Sequence, residues 1–158
     1  MALARTMRSI VPVLILFAAG FCCVSCRTTH DPRATWTPFE GYEYLIVARR
    51  FALGSVGADG GTSTGEYAFR AVLRARNAPE VFRAVLSLGA QATEEGKLYA
   101  LCGIRATDRS AFERYAVELV STNAEVTTMR GCCVGTEKAA DVVKRISDGV
   151  YDWHCTRR

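Results

Sequence analysis

The feature that most constrains the fold is a run of apolar residues at helical spacing between residues 66 and 120. The segment Phe69–Leu73 (FRAVL) recurs as Phe82–Leu86, and in each copy Phe, Val and Leu occupy positions i, i+3 and i+4. This spacing places the three side chains on one face of a helix. Between the copies, Asn77 is a predicted helix cap and Pro79 suits the first turn of the second helix. The pattern predicts two short, separate helices.

The same kind of pattern continues on both sides of this pair. The apolar segment Lys97–Ala106 predicts a further helix. The continuous apolar run Tyr42–Leu53 fits either a buried strand or a buried helix, and its alanines and leucines, together with Arg49 and Arg50, favour the helix. Asp108 is a predicted cap for a helix over Arg109–Val120. The inner stripe of that helix would be Phe112, Tyr115, Ala116 and Leu119. We therefore expect a mainly α fold, a compact bundle of about five to six short helices in stacked hairpins.

The tandem helix hairpins resemble HEAT-like and other α-solenoid units. The resemblance covers roughly Glu66 to Val120, and it rests on the repeated FRAVL segment. The two copies begin 13 residues apart, whereas a whole helical repeat of these families takes about 34 to 47 residues. What the resemblance implies is a binding surface made of helix faces rather than an enclosed active site.

The last part of the chain has a different composition. Glu125–Val134 is rich in the β-favouring residues Val and Thr and reaches a turn at Gly131. Thr136 is a predicted cap for a helix that ends at Gly149. The tail Val150–Cys155 again has β-like composition. This composition predicts either a short β-like pair near the C-terminus or loops packed beside the helices.

The N-terminus predicts export. Arg5 and Arg8 precede an apolar core over residues 10–21, which is shorter than the roughly 20 residues that a spanning helix needs. The sequence CVSC, residues 23–26, follows shortly after this core and looks like a bacterial lipobox. This resemblance implies cleavage before Cys26 and lipidation of that residue. The alternative is an ordinary secretory signal cut near Gly20.

The lipobox interpretation gives a simple domain organisation. Residues 1–25 are the predicted signal peptide, residues 26–38 a polar tether, and residues 39–158 a single helical domain. The expected location is the cell envelope, with the chain anchored to a membrane by its lipid. In a Gram-negative cell, Arg27 after the lipidated cysteine resembles the pattern sorted to the outer membrane.

Charge excludes some partners and favours others. The formal net charge of the 158 residues is +4, and Arg5 and Arg8 belong to the predicted signal. The remaining basic residues are scattered along the sequence rather than clustered as phosphate binding favours. We expect no nucleic-acid partner and no cofactor. The expected partners are the membrane, through the lipid, and an unidentified envelope protein.

Four cysteines remain after the lipobox. Cys102 lies in an apolar helix and suits a small buried side chain, whereas Cys132, Cys133 and Cys155 lie in loop-like segments of an exported chain. An extended tail is long enough to bring Cys155 back to Cys132 or Cys133, and a competing disulfide joins Cys102 to one of that pair. No metal site is predicted, because adjacent cysteines lack the gap that lets both thiolates face one ion.

A glycine-rich stretch, residues 54–66, contains the one motif that could indicate catalysis. Gly61–Gly65 (GTSTG) fits the G-x-S-x-G pattern of hydrolases, but the chain is too short for the large parallel sheet that this motif requires. Ser63 and Glu66 instead have the spacing of a capping box. We assign no catalytic residue and expect a non-enzymatic binding or scaffold module. The alternative is a small exported hydrolase or thiol enzyme that uses Ser63 or Cys155 with His154.

Overall fold

The computed structural model describes residues 35–156, and this part of the chain is mainly helical. The helices are α1 (Pro38–Ile46), α2 (Thr64–Leu73), α3 (Ala78–Ser87), α4 (Glu94–Thr107), α5 (Arg109–Ser121), α6 (Ala139–Ser147) and α7 (Asp152–Thr156). Two antiparallel hairpins complete the fold: β1 (Ser55–Val56) with β2 (Gly61–Thr62), and β3 (Glu125–Arg130) with β4 (Cys133–Lys138). The predicted helical class, with a β pair near the C-terminus, is confirmed.

Helix α4 forms the centre of the core. It packs against all the other helices of residues 35–156, and every residue from Gly96 to Ile104 is buried. A helix that is apolar on all sides is expected in such a position. The predicted inner stripe of α5 is buried as expected, and so are the Phe and Val of both FRAVL copies. These contacts explain why one bundle, rather than separate hairpins, is formed.

A glycine sets the distance between α3 and α4. A Cβ added to Gly103 would lie 2.2 Å from Cε2 of Phe82, whose ring is fully buried. The ring therefore rests directly on the backbone of α4. It also packs on Phe69 of α2, with 5.7 Å between the ring centroids. The first residues of the two FRAVL copies thus meet across the core.

The predicted helix over Tyr42–Leu53 is correct only in its first part. Helix α1 begins at Pro38, where Thr37 and Glu40 form a capping box, and it ends at Ile46. The chain then becomes extended because Phe51 pairs with β3: its N–H donates to Thr127 O at 2.8 Å, and its carbonyl accepts from Met129 N at 3.0 Å. Backbone partners distant in sequence decide the conformation of this segment.

Two predictions near the C-terminus are wrong. Thr136 lies inside β4 rather than at a helix cap, because the chain turns back at Gly131, whose φ of 54° suits glycine, and pairs with β3. Helix α6 therefore begins only at Ala139. The tail Val150–Cys155 is not extended, because its last four residues belong to α7. The C-terminal β pair is the β3–β4 hairpin alone.

Several predictions concern the first 34 residues and lie outside the described part. These are the signal peptide, the lipidation of Cys26 and most of the tether. Within residues 35–156, no helix has both the length and the apolar character that crossing a membrane requires.

Candidate binding cleft

The backbone of Ala52 is held by two side chains from other parts of the chain. The Tyr99 hydroxyl donates to Ala52 O at 3.1 Å and accepts from Ala52 N at 2.8 Å, and the Ser63 hydroxyl donates to the same carbonyl at 2.6 Å. Tyr99 is fully buried, and this burial raises the pKa of its phenol well above the ordinary range. These bonds fix the extended segment after α1 against α2 and α4.

Ser63 acts as the cap of α2. Its oxygen accepts a hydrogen bond from Glu66 N at 3.0 Å while its proton is donated to Ala52. The serine half of the predicted capping box is therefore confirmed. The other half is not formed, because the Glu66 carboxylate accepts from Gly54 N at 2.8 Å instead.

Glu66 is a buried carboxylate that connects three elements. Only 1% of the residue is exposed, and it pairs with Arg70 one turn along α2. Its Oε1 also lies 3.4 Å from Nδ1 of His154 on α7, although this contact does not have hydrogen-bond geometry. A buried carboxylate needs such partners to offset the loss of hydration. The glycine-rich loop, α2 and α7 thus all contact the carboxylate of Glu66.

An open cleft with a volume of about 730 Å³ lies between the glycine-rich loop and the segment that follows α1. One wall is the β1–β2 hairpin with the first turn of α2, and the other contains Arg49, Arg50 and Tyr44. Its polar lining also includes Asp59, Thr62, Ser63, Thr64 and Tyr67. The cleft is thus a polar surface site with two arginines and one acidic residue.

The two arginines in the wall of the cleft are exposed. Nη1 of Arg50 lies 3.5 Å from Sδ of Met129, a weak contact, and neither guanidinium has an acidic partner within residues 35–156. Arg83 and Arg105, by contrast, are paired with Asp108 and Asp152. Unpaired guanidinium groups beside a cleft favour carboxylate or other anionic groups.

Ser63 and His154, which the alternative catalytic hypothesis pairs, line different cavities. Ser63 lines the cleft, whereas His154 lines another cavity, of about 280 Å³, together with Phe51 and Tyr151. Burial, followed by the nearby charge of Asp152, raises the pKa of the Cys155 thiol to about 12. A thiol with that pKa is protonated at neutral pH and is a poor nucleophile.

The four predicted disulfide cysteines occupy two places. Cys132 and Cys133 are exposed at the turn of the β3–β4 hairpin, whereas Cys102 is buried on α4 with Cys155 of α7 beside it. The Cys155 sulfur lies 3.8 Å from Cys102 O. All four are free thiols in the structure. Within the described range, no three His, Cys, Asp or Glu side chains are grouped so that they could hold a metal ion.

Sequence reasoning missed the cleft arginines and the contact between His154 and Glu66. Arg49 and Arg50 supported a helix in the sequence, and no local signal revealed that the chain becomes extended there. A signal for the buried carboxylate did exist, because Glu66 and Arg70 have the i, i+4 spacing of a helical ion pair. The contact with His154 joins residues 88 positions apart and leaves no such pattern.

Comparison of the chain with protein-family models, with curated proteins and with solved structures finds no match.

Proposed function

We propose that this chain is a membrane-tethered, non-enzymatic binding module of the cell envelope, and that the cleft beside Arg49 and Arg50 is its binding site. The tether is supported by the lipobox-like sequence that ends at Cys26 and by the polar segment after it. From Cys26 to the capping residue Thr37 the chain can extend over about 35 Å. The module can therefore reach partners at the membrane surface.

The observation that carries the binding role is a pair of exposed arginines at an open, preformed cleft, neither of which has an acidic partner within residues 35–156. The Ala52 backbone next to them is fixed by Tyr99 and Ser63, so the cleft wall is held in place before any partner arrives. A preformed site loses less conformational entropy on binding than a mobile one. Rigid walls with exposed charges suit recognition of an envelope protein.

The hydrogen bonds around Ser63 support a binding role over the alternative hydrolase or thiol enzyme. The Ser63 hydroxyl is engaged as both donor and acceptor in local structure, and His154 lies against Glu66. An activated serine needs its base within hydrogen-bond reach. The protonated thiol of Cys155 offers no ready nucleophile either.

The charge of the cleft suggests the chemistry of the partner segment. Arg49 and Arg50 outnumber the one acidic residue of the lining, Asp59. Tyr44 and Tyr67 add aromatic surface beside them. An exposed protein segment with carboxylate groups next to an apolar or aromatic side chain would complement these walls.

Site-specific photocrosslinking in the native envelope tests this proposal. A photoreactive amino acid in place of Asp59, at the edge of the cleft, should capture a specific protein, and the same group in place of Gln91, which is exposed outside the cleft, should not. Charge reversal by Arg49→Glu and Arg50→Glu should lower the yield about fivefold or more, as expected for two surface ion pairs of about 0.5 kcal/mol each.

The matched control is Arg76→Glu, which reverses an exposed arginine outside the cleft. This variant should keep the crosslinked product at the wild-type yield. Equal capture from positions 59 and 91, or no capture from either, would contradict the proposal. So would a product that survives reversal of both cleft arginines.

A further inference from the structure

Helices α4 and α7 face each other through two pairs of residues. Nε and Nη2 of Arg105 bind the Asp152 carboxylate at 2.8 and 3.0 Å. Cys102 precedes Arg105 by three residues, and Cys155 follows Asp152 by three. Residues three apart share one face of a helix. Cys102 therefore lies on the face of α4 that carries Arg105, and Cys155 lies on the face of α7 that carries Asp152.

The contacts of the sulfur atom agree with this register. Sγ of Cys155 lies 3.8 Å from the backbone oxygen of Cys102, and Cys155 packs against the core in which Cys102 is buried. The Cβ of a residue is only two bonds from its own carbonyl carbon. The thiol of Cys155 thus lies against the backbone from which the Cys102 side chain projects. Rotation about the side-chain bonds is the movement that we expect to bring the two sulfurs to bonding distance, about 2.05 Å.

We propose that Cys102 and Cys155 form an intramolecular disulfide by exchange with a disulfide donor, either an oxidised low-molecular-weight thiol or an oxidised dithiol protein. The Cys155 thiolate attacks one donor sulfur, forms a mixed disulfide and releases one donor thiolate. The Cys102 thiolate then attacks the Cys155 sulfur and releases the second. The two protons lost by the cysteines are taken up by the two released donor thiolates, which become thiols, so the protein is oxidised by two electrons and the donor is reduced by two.

The surface beside α7 gives the donor a route to the first of these thiols. Cys155 lines a surface cavity of about 330 Å³ together with Arg105, Arg109 and Asp152. Cys102 is 1% exposed, so it reacts as the second, resolving thiol. Burial raises the pKa of both thiols. Because the thiolate is the attacking species, the exchange is slow at neutral pH and accelerates as the pH rises.

The disulfide would attach the last described helix to the centre of the core. Helix α7 has no fully buried residue, and it is held by the Arg105–Asp152 pair and by the contact of His154 with Glu66. A covalent bond between positions 102 and 155 closes a loop of about fifty residues, a length for which the chain-entropy account expects clear stabilisation. The proposal requires only a disulfide donor and is independent of the binding function.

The test is a disulfide map of the full chain after incubation with oxidised glutathione at about pH 8. Trypsin places Cys102 in peptide 98–105, Cys155 in peptide 146–157, and the hairpin cysteines in peptide 131–138. A linked species of 98–105 with 146–157, released by reduction, is expected. Its formation should raise the Tm by about 5 °C or more.

Variants separate this pairing from the competing ones. The double variant Cys132→Ser, Cys133→Ser should still form the linked species, and Cys102→Ser should stop at a glutathione adduct on Cys155 without a rise in Tm. A link from peptide 131–138 to either of the other peptides would overturn the proposal. So would thiols that stay free, or carry only glutathione, when a longer incubation is carried out at about pH 9, where more of each thiol is ionised and the exchange is faster.

Discussion

Replacement of Tyr99 by phenylalanine tests whether the Ala52 contacts hold the cleft wall in place. The substitution removes one hydroxyl and leaves the buried ring, which packs on Phe51 with 4.8 Å between centroids. The hydroxyl makes two hydrogen bonds, one to each backbone group of Ala52. In Tyr99→Phe the carbonyl keeps its bond from Ser63, whereas the buried N–H loses its partner.

The expected loss follows from that unpaired N–H. A buried donor left without an acceptor costs about 1 to 3 kcal/mol, and we expect Tyr99→Phe to lower the free energy of unfolding by about 2 kcal/mol. Urea unfolding followed by circular dichroism measures this loss as a lower midpoint at an unchanged slope. The control is Tyr42→Phe, because the hydroxyl of that half-buried residue has no hydrogen-bond partner within residues 35–156.

A second substitution checks that the hydroxyl acts where the structure places it. A Cβ added to Gly65 would lie 2.1 Å from Oη and 2.5 Å from Cζ of Tyr99. Gly65→Ala should therefore destabilise the fold despite its better helix propensity. In the Tyr99→Phe background the nearest contact is gone, so the cost of Gly65→Ala should fall by about 1 kcal/mol. Additive effects, or a Tyr99→Phe variant within 0.5 kcal/mol of wild type, would refute this reasoning.

Two further predictions concern the core and the pH dependence of stability. Gly103→Ala should lower the free energy of unfolding in urea by about 2 kcal/mol or more, because its Cβ would overlap the buried Phe82 ring. The control Gly135→Ala, at an open position of β4, should have nearly the stability of the wild type. Equal losses of stability in the two variants would contradict the account. Hydrogen bonds from Ser110 and Arg83 lower the pKa of Asp108 from 3.8 to about 2. A carboxyl group whose pKa is lowered in the folded state stabilises the fold at pH values above its ordinary pKa, and this stabilisation should disappear as the pH falls from about 4 to 2. In Asp108→Asn, the urea midpoint should therefore depend less on pH over that range. Parallel curves for the variant and wild type would contradict it.

The parts of the fold that were predictable from sequence depend on local pattern. The FRAVL copies and the stripe from Phe112 to Leu119 face the core because apolar spacing determines which side of a helix is buried. The end of α1 was not predictable in this way. Phe51 bonds to β3, more than seventy residues further along the chain, and that pairing overrides the helix propensity of the segment around it.

For the site residues, too, local sequence patterns were predictive, and contacts between distant parts of the chain were not. Ser63 was recognisable as a cap from its spacing to Glu66, and the structure confirms that role. The position of Cys155 was not predictable from the sequence, because the β-like composition of residues 150–155 suggested an extended tail that leads toward Cys132 and Cys133. Once the tail is seen to form α7, the register of Asp152 on Arg105 places Cys155 beside Cys102 instead.

Attachment to a membrane through Cys26 is the claim on which the proposed function most depends. The intact mass of the protein recovered from its native membrane tests it directly. The account predicts a chain that begins at Cys26 and carries added acyl groups. An unlipidated mass, or a chain that begins near residue 21, would contradict the tether and with it the placement of this binding module at a membrane surface.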